Sequence, residues 1–195
     1  MQSRRLQTTE AKSALAEAVN RVLSVAVIHE FLSAQDSRAI NIREVAQRIV
    51  QQMQNGLLEP GRDISFAISG PSIYLPARQA TSCALVINEL LQNALEHGFD
   101  LRESFETARP TKGAIVLTFE DHGDAVGLVV HDDGHALPET FDLEHVDSLG
   151  LKIVQMLVKQ DLRGQINMQS DHGVSAIVRF PKVALGGEDK WNESE

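Results

Sequence analysis

The sequence predicts an α+β protein in which helices cover one side of a mainly antiparallel sheet, behind an N-terminal helical segment. Three observations predict it. Residues 1 to about 58 hold no proline and one glycine, Gly56, with apolar residues recurring at three- and four-residue spacing. From about residue 59, short alternating runs read as strands, and two pairs of them meet at tight turns, His122-Gly123-Asp124 and Asp171-His172-Gly173. Between those runs, the stretches 77–97 and 148–161 keep the helical period.

Each element has its own signal. Leu15, Val19, Val22, Leu23, Ala26, Val27 and Leu32 stripe a first helix, which breaks at Ser33-Ala34-Gln35-Asp36-Ser37. Asn41 reads as the N-cap of a second helix, with Glu44 completing a pattern like a capping box. Ile42, Val45, Ala46, Ile49, Val50 and Met53 give that helix an apolar face, which predicts packing against a second copy of the chain. Asp63 to Ser69 and Ile73-Tyr74-Leu75 read as strands. Pro76 then opens the helix to His97, and Gly98 closes it as glycine does at the C′ position. After a polar loop over 99–112, strands are expected at 114–120 and 125–132, and a Gly-, Pro- and His-containing loop at 133–147. The helix at 148–161 leads to a closing hairpin of 164–170 and 174–180. The polar tail, 184–195, is expected to be disordered.

Composition narrows the function. The chain has 195 residues, 43% of them hydrophobic, so it can bury a core in one or two domains. Its 18 Lys and Arg against 27 Asp and Glu give a net charge of −9, which argues against a general nucleic-acid or anionic-membrane binder. The single cysteine, Cys83, excludes an intrachain disulfide and points to a reducing compartment, hence the cytoplasm. No apolar run reaches the roughly 18 residues of a membrane span.

Three short motifs carry candidate chemistry. Glu89, Asn93 and His97 lie four apart and share one stripe of a helix. A carboxylate, an amide oxygen and an imidazole so placed could hold hydrated Mg²⁺ and orient phosphates; the same stripe also reads as a solvated helix face. Asp132 follows Leu128 and Val130 on the face expected to meet the helices, so its carboxylate needs a partner, which an adenine amino group would supply. Asp132-Asp133-Gly134 alternatively reads as a strand ending in an ordinary turn. Ser148-Leu149-Gly150-Leu151 opens a helix whose first N–H groups would suit an anion, or which Ser148 simply caps. The six histidines at 97, 122, 131, 135, 145 and 172 share no helix face, so zinc is not expected.

Taken in order, Asn88-Glu89-Leu90-Leu91-Gln92-Asn93-Ala94-Leu95-Glu96-His97, then Asp132-Asp133-Gly134-His135-Ala136-Leu137-Pro138, then Ser148-Leu149-Gly150-Leu151-Lys152-Ile153-Val154, then a closing strand from Gly173 to Pro181, closely resemble one known unit. It is the catalytic ATP-binding domain of sensor histidine kinases, within the gyrase/Hsp90/histidine kinase/MutL superfamily. The resemblance covers about 60–182 and implies a Bergerat-type α/β sandwich with a mixed, mainly antiparallel sheet. Ala18-Val19-Asn20-Arg21-Val22 and Ile28-His29-Glu30 are similar to the second half of the dimerisation hairpin of HisKA_2-type kinases. The implied division is a helical dimerisation segment at 1–58, an ATP-binding domain at 59–183 and the tail at 184–195.

The resemblance also implies roles. ATP and Mg²⁺ are the expected ligands. Asn93 would coordinate Mg²⁺ with Glu89 assisting its shell, Asn88 would border the pocket, and His97 would approach the phosphates. Asp132 would bind the adenine amino group, and Gly134 would let the chain turn beneath the base. Residues 135–147, including Ala136 and Leu137, would form a mobile lid, with Ser148, Leu149, Gly150 and Leu151 beside the phosphates. The expected partners are a second copy, through the N-terminal helices, and a response regulator receiver domain, with no nucleic acid and no membrane contact. Ala136 stands where the family usually has glycine; if that position needs positive φ, alanine costs roughly 1–2 kcal/mol. Val174 replaces the usual threonine, a loss of roughly 0.5–1.5 kcal/mol. The family's acceptor histidine lies in a helix upstream of the matched part, and His29 falls on the wrong helix to replace it. A nucleotide-binding regulatory module, or a serine/threonine kinase of the anti-sigma type, are the alternative readings.

Overall fold

The structure is a computed structural model that describes residues 39–56, 63–99, 112–146 and 148–185. Its first elements are β1 (Ile40–Asn41), α1 (Ile42–Gly56), β2 (Asp63–Ser69), β3 (Tyr74–Leu75) and α2 (Ala77–Asn93). They are followed by β4 (Lys112–Asp121), β5 (Ala125–Asp132), α3 (Leu149–Met156), β6 (Gln165–Ser170) and β7 (Val174–Pro181). Both α2 and α3 end in a widened π turn, over Ala94–Gly98 and Leu157–Asp161. The first helix stripe, His29 and the tail from residue 186 lie outside the described residues.

Five strands make one sheet in the order β2-β4-β5-β7-β6, parallel at β2–β4 and antiparallel elsewhere. The two turns read from sequence are where they were expected. Gly123 has φ +86° and Gly173 φ +126°, conformations that favour glycine. The alternation of β4 and β5 points Ile115, Leu117 and Phe119 the same way as Asp132, Val130 and Leu128, their direct partners in register. Val178 and Phe180 of β7 join them, and all these side chains are buried under the helices. Asp132 is therefore a charged residue at the edge of an apolar layer, placed there by the period-two pleat.

Helix α2 packs between α1 and α3 on that face. Here the structure corrects a sequence expectation. Ile42, Val45, Ala46, Ile49, Val50 and Met53 are each 8% exposed or less, buried in the common core. The apolar face of α1 thus finds its cover within one chain, and β1 pairs with β3 to fix it there. Asn41 caps α1, but its Oδ1 accepts from Arg43 N (3.2 Å) while its own amide donates to Glu44 Oε1 (2.9 Å), so the reciprocal box is formed through side chains.

Gly98 is the second correction. It does not close α2 in a left-handed turn; it lies inside the π turn without positive φ, and Phe99 follows as the cap. The glycine is needed for space instead, as the site shows.

Candidate functional site

A cavity of about 480 Å³ opens between the π turn of α2, the end of β5, the loop 135–146 and the start of α3. That volume suits a small ligand. Of the residues expected from sequence, Asn93, His97, Asp132, Ala136, Leu137, Ser148 and Leu151 line it. Leu90, Val130 and Met168 supply apolar wall, so a flat apolar ring with polar edges fits between them.

Asp132 is 4% exposed. Its Oδ1 accepts from Gly134 N at 3.0 Å, and the Val174 N–H also binds the carboxylate. Burial nevertheless outweighs those hydrogen bonds and raises its pKa above the ordinary aspartate value. Three glycines let the chain close around this group. A Cβ on Gly98 would lie 2.8 Å from Asp132 Oδ1, and one on Gly134 would lie 2.5 Å from the Gly98 carbonyl oxygen. A Cβ on Gly173 would lie 1.8 Å from the Asp132 carbonyl oxygen. Gly134 has no positive φ, so its role is close approach and not the turn itself.

Asn93 ends the regular part of α2, and His97 rides on the π turn beyond it. The extra residue in such a turn shifts the helix face, and π turns gather at functional sites. Asn93 is 9% exposed, lines the cavity, and its Nδ2 is buried without a hydrogen-bond partner. The spare group is an N–H donor, which fits an acceptor oxygen of a ligand such as a phosphate, and the side-chain oxygen of the same amide is of the hard type that Mg²⁺ takes. Among the described residues no cluster of three or more His, Cys, Asp or Glu could hold a metal unaided.

The loop 135–146 is tied at several points. His135 N donates to Gly98 O (3.1 Å), Leu137 N donates to Ser170 Oγ (2.8 Å), and Gln155 Nε2 of α3 donates to Leu143 O. Asp142 Oδ1 accepts from Glu144 N at 2.9 Å and its Oδ2 pairs with His145 Nδ1 at 2.7 Å. That pairing lowers the Asp142 pKa and raises that of His145. Ser148 caps α3, accepting from Leu151 N at 3.5 Å.

The remaining expected residues do not line the cavity. Asn88 and Glu89 are buried one turn earlier on α2, 2% and 5% exposed. Leu149 turns to solvent at 62% exposure, and Gly150 is buried in the first turn of α3. His135, Thr140, Phe141, Asp142 and His145, expected from sequence only as part of the lid 135–147 and given no individual binding role, also lie on the wall. The Asp142-x-x-His145 spacing was the one signal that could have found a pair of them. Ala136 has no positive φ, so the strain conditional on that geometry is absent. Cys83 is fully buried and its thiol is pushed up to about 12, which leaves it inert.

A mixed sheet covered by helices, with a cavity between a buried carboxylate and a helix-borne asparagine, defines a nucleotide-type pocket in an α+β sandwich. Comparison with known proteins gives the family. Residues 79–184 match the family described as histidine kinase-, DNA gyrase B- and HSP90-like ATPase, and residues 1–56 match one described as histidine kinase. The chain belongs to that ATPase family. It is 37% identical over 183 residues to the sensor histidine kinase PdtaS of Mycobacterium tuberculosis, covering 93% of this chain and 35% of that protein. The chain thus spans about a third of the length of the curated relatives it matches. Among solved structures, the histidine kinase domain of the Erythrobacter litoralis EL346 blue-light activated histidine kinase superposes with a TM-score of 0.68 at 22% identity, over 88% of this chain and 83% of that one. The histidine kinase ThkA, solved in complex with response regulator protein TrrA, gives 0.59 at 20% identity, over 87% and 50%. These two likenesses show the fold. Among the described residues no helix is long and apolar enough to cross a membrane.

Proposed function

We propose that this chain is the ATP-binding catalytic core of a cytoplasmic two-component sensor histidine kinase, transferring the γ-phosphoryl group of ATP to a histidine and onward to a receiver domain. The observation that carries the reading is the pairing of Asp132 and Asn93 on one cavity wall set. The buried Asp132 carboxylate accepts a hydrogen bond from the adenine amino group, a contact strengthened by its low-dielectric surroundings. The Asn93 side-chain oxygen would hold Mg²⁺, which would supply positive charge to the phosphates. His97 and the Ser148-capped start of α3 lie toward the same polyphosphate, where a helix N-terminus favours negative charge. Leu90, Val130 and Met168 exclude water from the base. Transfer itself is an in-line displacement: the acceptor imidazole nitrogen bonds to the γ-phosphorus as the bond to the ADP oxygen breaks. The chain's contribution is positioning and charge neutralisation.

Support for the kinase reading comes from the family match over 79–184, the histidine kinase match over 1–56, and the 37% identity to a sensor histidine kinase. The ThkA likeness supports a receiver domain as the downstream partner. Dimerisation is assigned to the apolar stripe from Leu15 to Leu32, because α1 is already covered. Titration calorimetry tests the site. Mg²⁺-dependent ATP binding is expected in the wild type, weakened at least tenfold in Asn93→Ala; equal affinity in the two would overturn the assignment.

A further inference from the structure

His135 has no task in the chemistry above, yet its surroundings single it out. It lines the cavity at the point where the chain leaves β5. Its backbone is fixed by the N–H bond to Gly98 O at 3.1 Å, and Gly98 itself abuts the Asp132 carboxylate. Its ring Nε2 is closed off from solvent with no hydrogen-bond partner. Buried polar atoms are nearly always paired, so an orphan is a place where a partner is missing. Among the described residues three side-chain atoms share this condition: Arg43 Nε, Asn93 Nδ2 and His135 Nε2. Arg43 lies off the cavity. The other two sit on its wall, and Asn93 is already assigned to the phosphate end.

We infer that His135 is a nucleotide-binding residue whose Nε2 pairs with a ribose hydroxyl of the bound nucleotide. The inference deepens the ATP reading and depends on it. A ribose hydroxyl is the nucleotide group that suits this nitrogen in either tautomer. With the adenine amino group taken by Asp132, the other edge atoms of the base are acceptors only. A neutral imidazole nitrogen is a donor in one tautomer and an acceptor in the other, whereas a hydroxyl complements both. Position agrees with chemistry. The His135 backbone is pinned next to the carboxylate that takes the base, so its ring is within side-chain reach of the sugar that the base carries, and the closed-off Nε2 turns toward the cavity to make the contact. Pinning the backbone also keeps the entropy of forming that contact low.

The inference sets two effects in opposition. Replacing an unpaired buried nitrogen by carbon should not destabilise the free protein on hydrogen-bonding grounds, because no bond is lost there. The same replacement should weaken ATP. The experiment titrates Mg²⁺ with ATP, 2′-deoxy-ATP and 3′-deoxy-ATP into the full chain, its His135→Phe variant and its His135→Ala variant, with thermal melts of each free protein. His135→Asn stands in for either variant that fails to fold. The expected result is a three- to tenfold weaker Kd for ATP in the variants, the size of one neutral hydrogen bond. One deoxy analogue should bind the wild type weaker by a similar factor and lose nothing further in the variants. His135→Phe should melt at or above the wild-type temperature. Unchanged ATP affinity in the variants would overturn the inference, as would an equal loss for ATP and both deoxy analogues, which would put the nitrogen against the base or phosphates. A wild type that binds no ATP would overturn the underlying reading, and is seen in the first titration.

Discussion

Gly98 and Asp132 meet with no space between them: a side-chain carbon on the glycine would stand 2.8 Å from the aspartate Oδ1. The end of α2 and the end of β5 are locked at that contact, which sets the depth at which the carboxylate faces the cavity. Gly98→Ala must push Asp132 aside, and Asp132 cannot move freely because Gly134 N holds the same oxygen at 3.0 Å. Overpacking of this kind costs about 1–3 kcal/mol. The variant should melt several degrees lower and bind ATP more weakly than wild type. A variant with wild-type melting and wild-type affinity would show that the contact sets nothing.

Asp132 itself gives a pH signature. Burial holds its carboxyl above the ordinary 3.8, so it loses its charge at a higher pH than an exposed aspartate. Base recognition by the carboxylate is therefore expected to fade, as pH falls, while other aspartates are still ionised. Stability runs the other way. Because the folded form binds the proton more tightly than the unfolded form, this group's contribution rises as pH falls from its raised value toward 3.8. Asp132→Asn should remove both dependences and weaken ATP roughly ten- to a hundredfold, as for a hydrogen bond to a charged group. Parallel wild-type and variant pH profiles of binding and melting check it; identical slopes would count against Asp132 as the titrating group.

How much of this was legible in the sequence depends on the physical origin of each feature. The burial of Asp132 was legible, because the strand period alone puts it beside Leu128 and Val130. Asn93 and His97 were placed on one side of a helix correctly, although Glu89 on the same stripe is buried away from the cavity. Glu89 and Asn93 both precede the π turn, on the regular part of α2; Glu89 lies one turn deeper in the fold, where the cavity does not extend, and only the packing of α2 decides that. Gly98 was misread for a related reason. Its glycine answers a neighbour that is 34 residues away in sequence, not a local backbone angle. The apolar face of α1 was legible, its partner was not: periodicity tells which side is covered, and only the fold tells by what. The His145–Asp142 pair needed the loop's path as well as its sequence.

The burial of α1 changes what a dimer can use. Residues 12–33 keep an apolar stripe in sequence, while the stripe at 42–53 is spent on the chain's own core. Light scattering should therefore give twice the monomer mass for the full chain and a monomer on deletion of residues 1–38. The deleted chain should keep its ATP affinity, since the cavity residues among those described all lie beyond the cut. By contrast, Ile49→Asp should lower the melting temperature and not act as a clean monomerising change, because Ile49 is 4% exposed within one chain. A monomeric full chain at high concentration would refute the assignment.

The last prediction concerns which half of the reaction the chain can perform. Phosphoryl transfer needs a nucleophile held in line about 3–3.5 Å from the γ-phosphorus, and the catalyst's part is to hold the triphosphate still. The groups proposed to hold it, Asn93, His97, Asp132 and the capped start of α3, share one cavity. None of these 195 residues forms a His-Arg-Val-Lys-Asn-Asn-like acceptor segment, and His29 stands in a different sequence setting. Incubation of this chain alone with γ-labelled ATP should leave no acid-labile phosphate on it. Addition of a separate helical acceptor of the family's type should produce acid-labile label on that helix, lost when Asn93→Ala replaces the wild type. Label on this chain that disappears in His29→Ala would place the acceptor within it, and would mean that the residues ahead of α1 bring His29 to the same cavity.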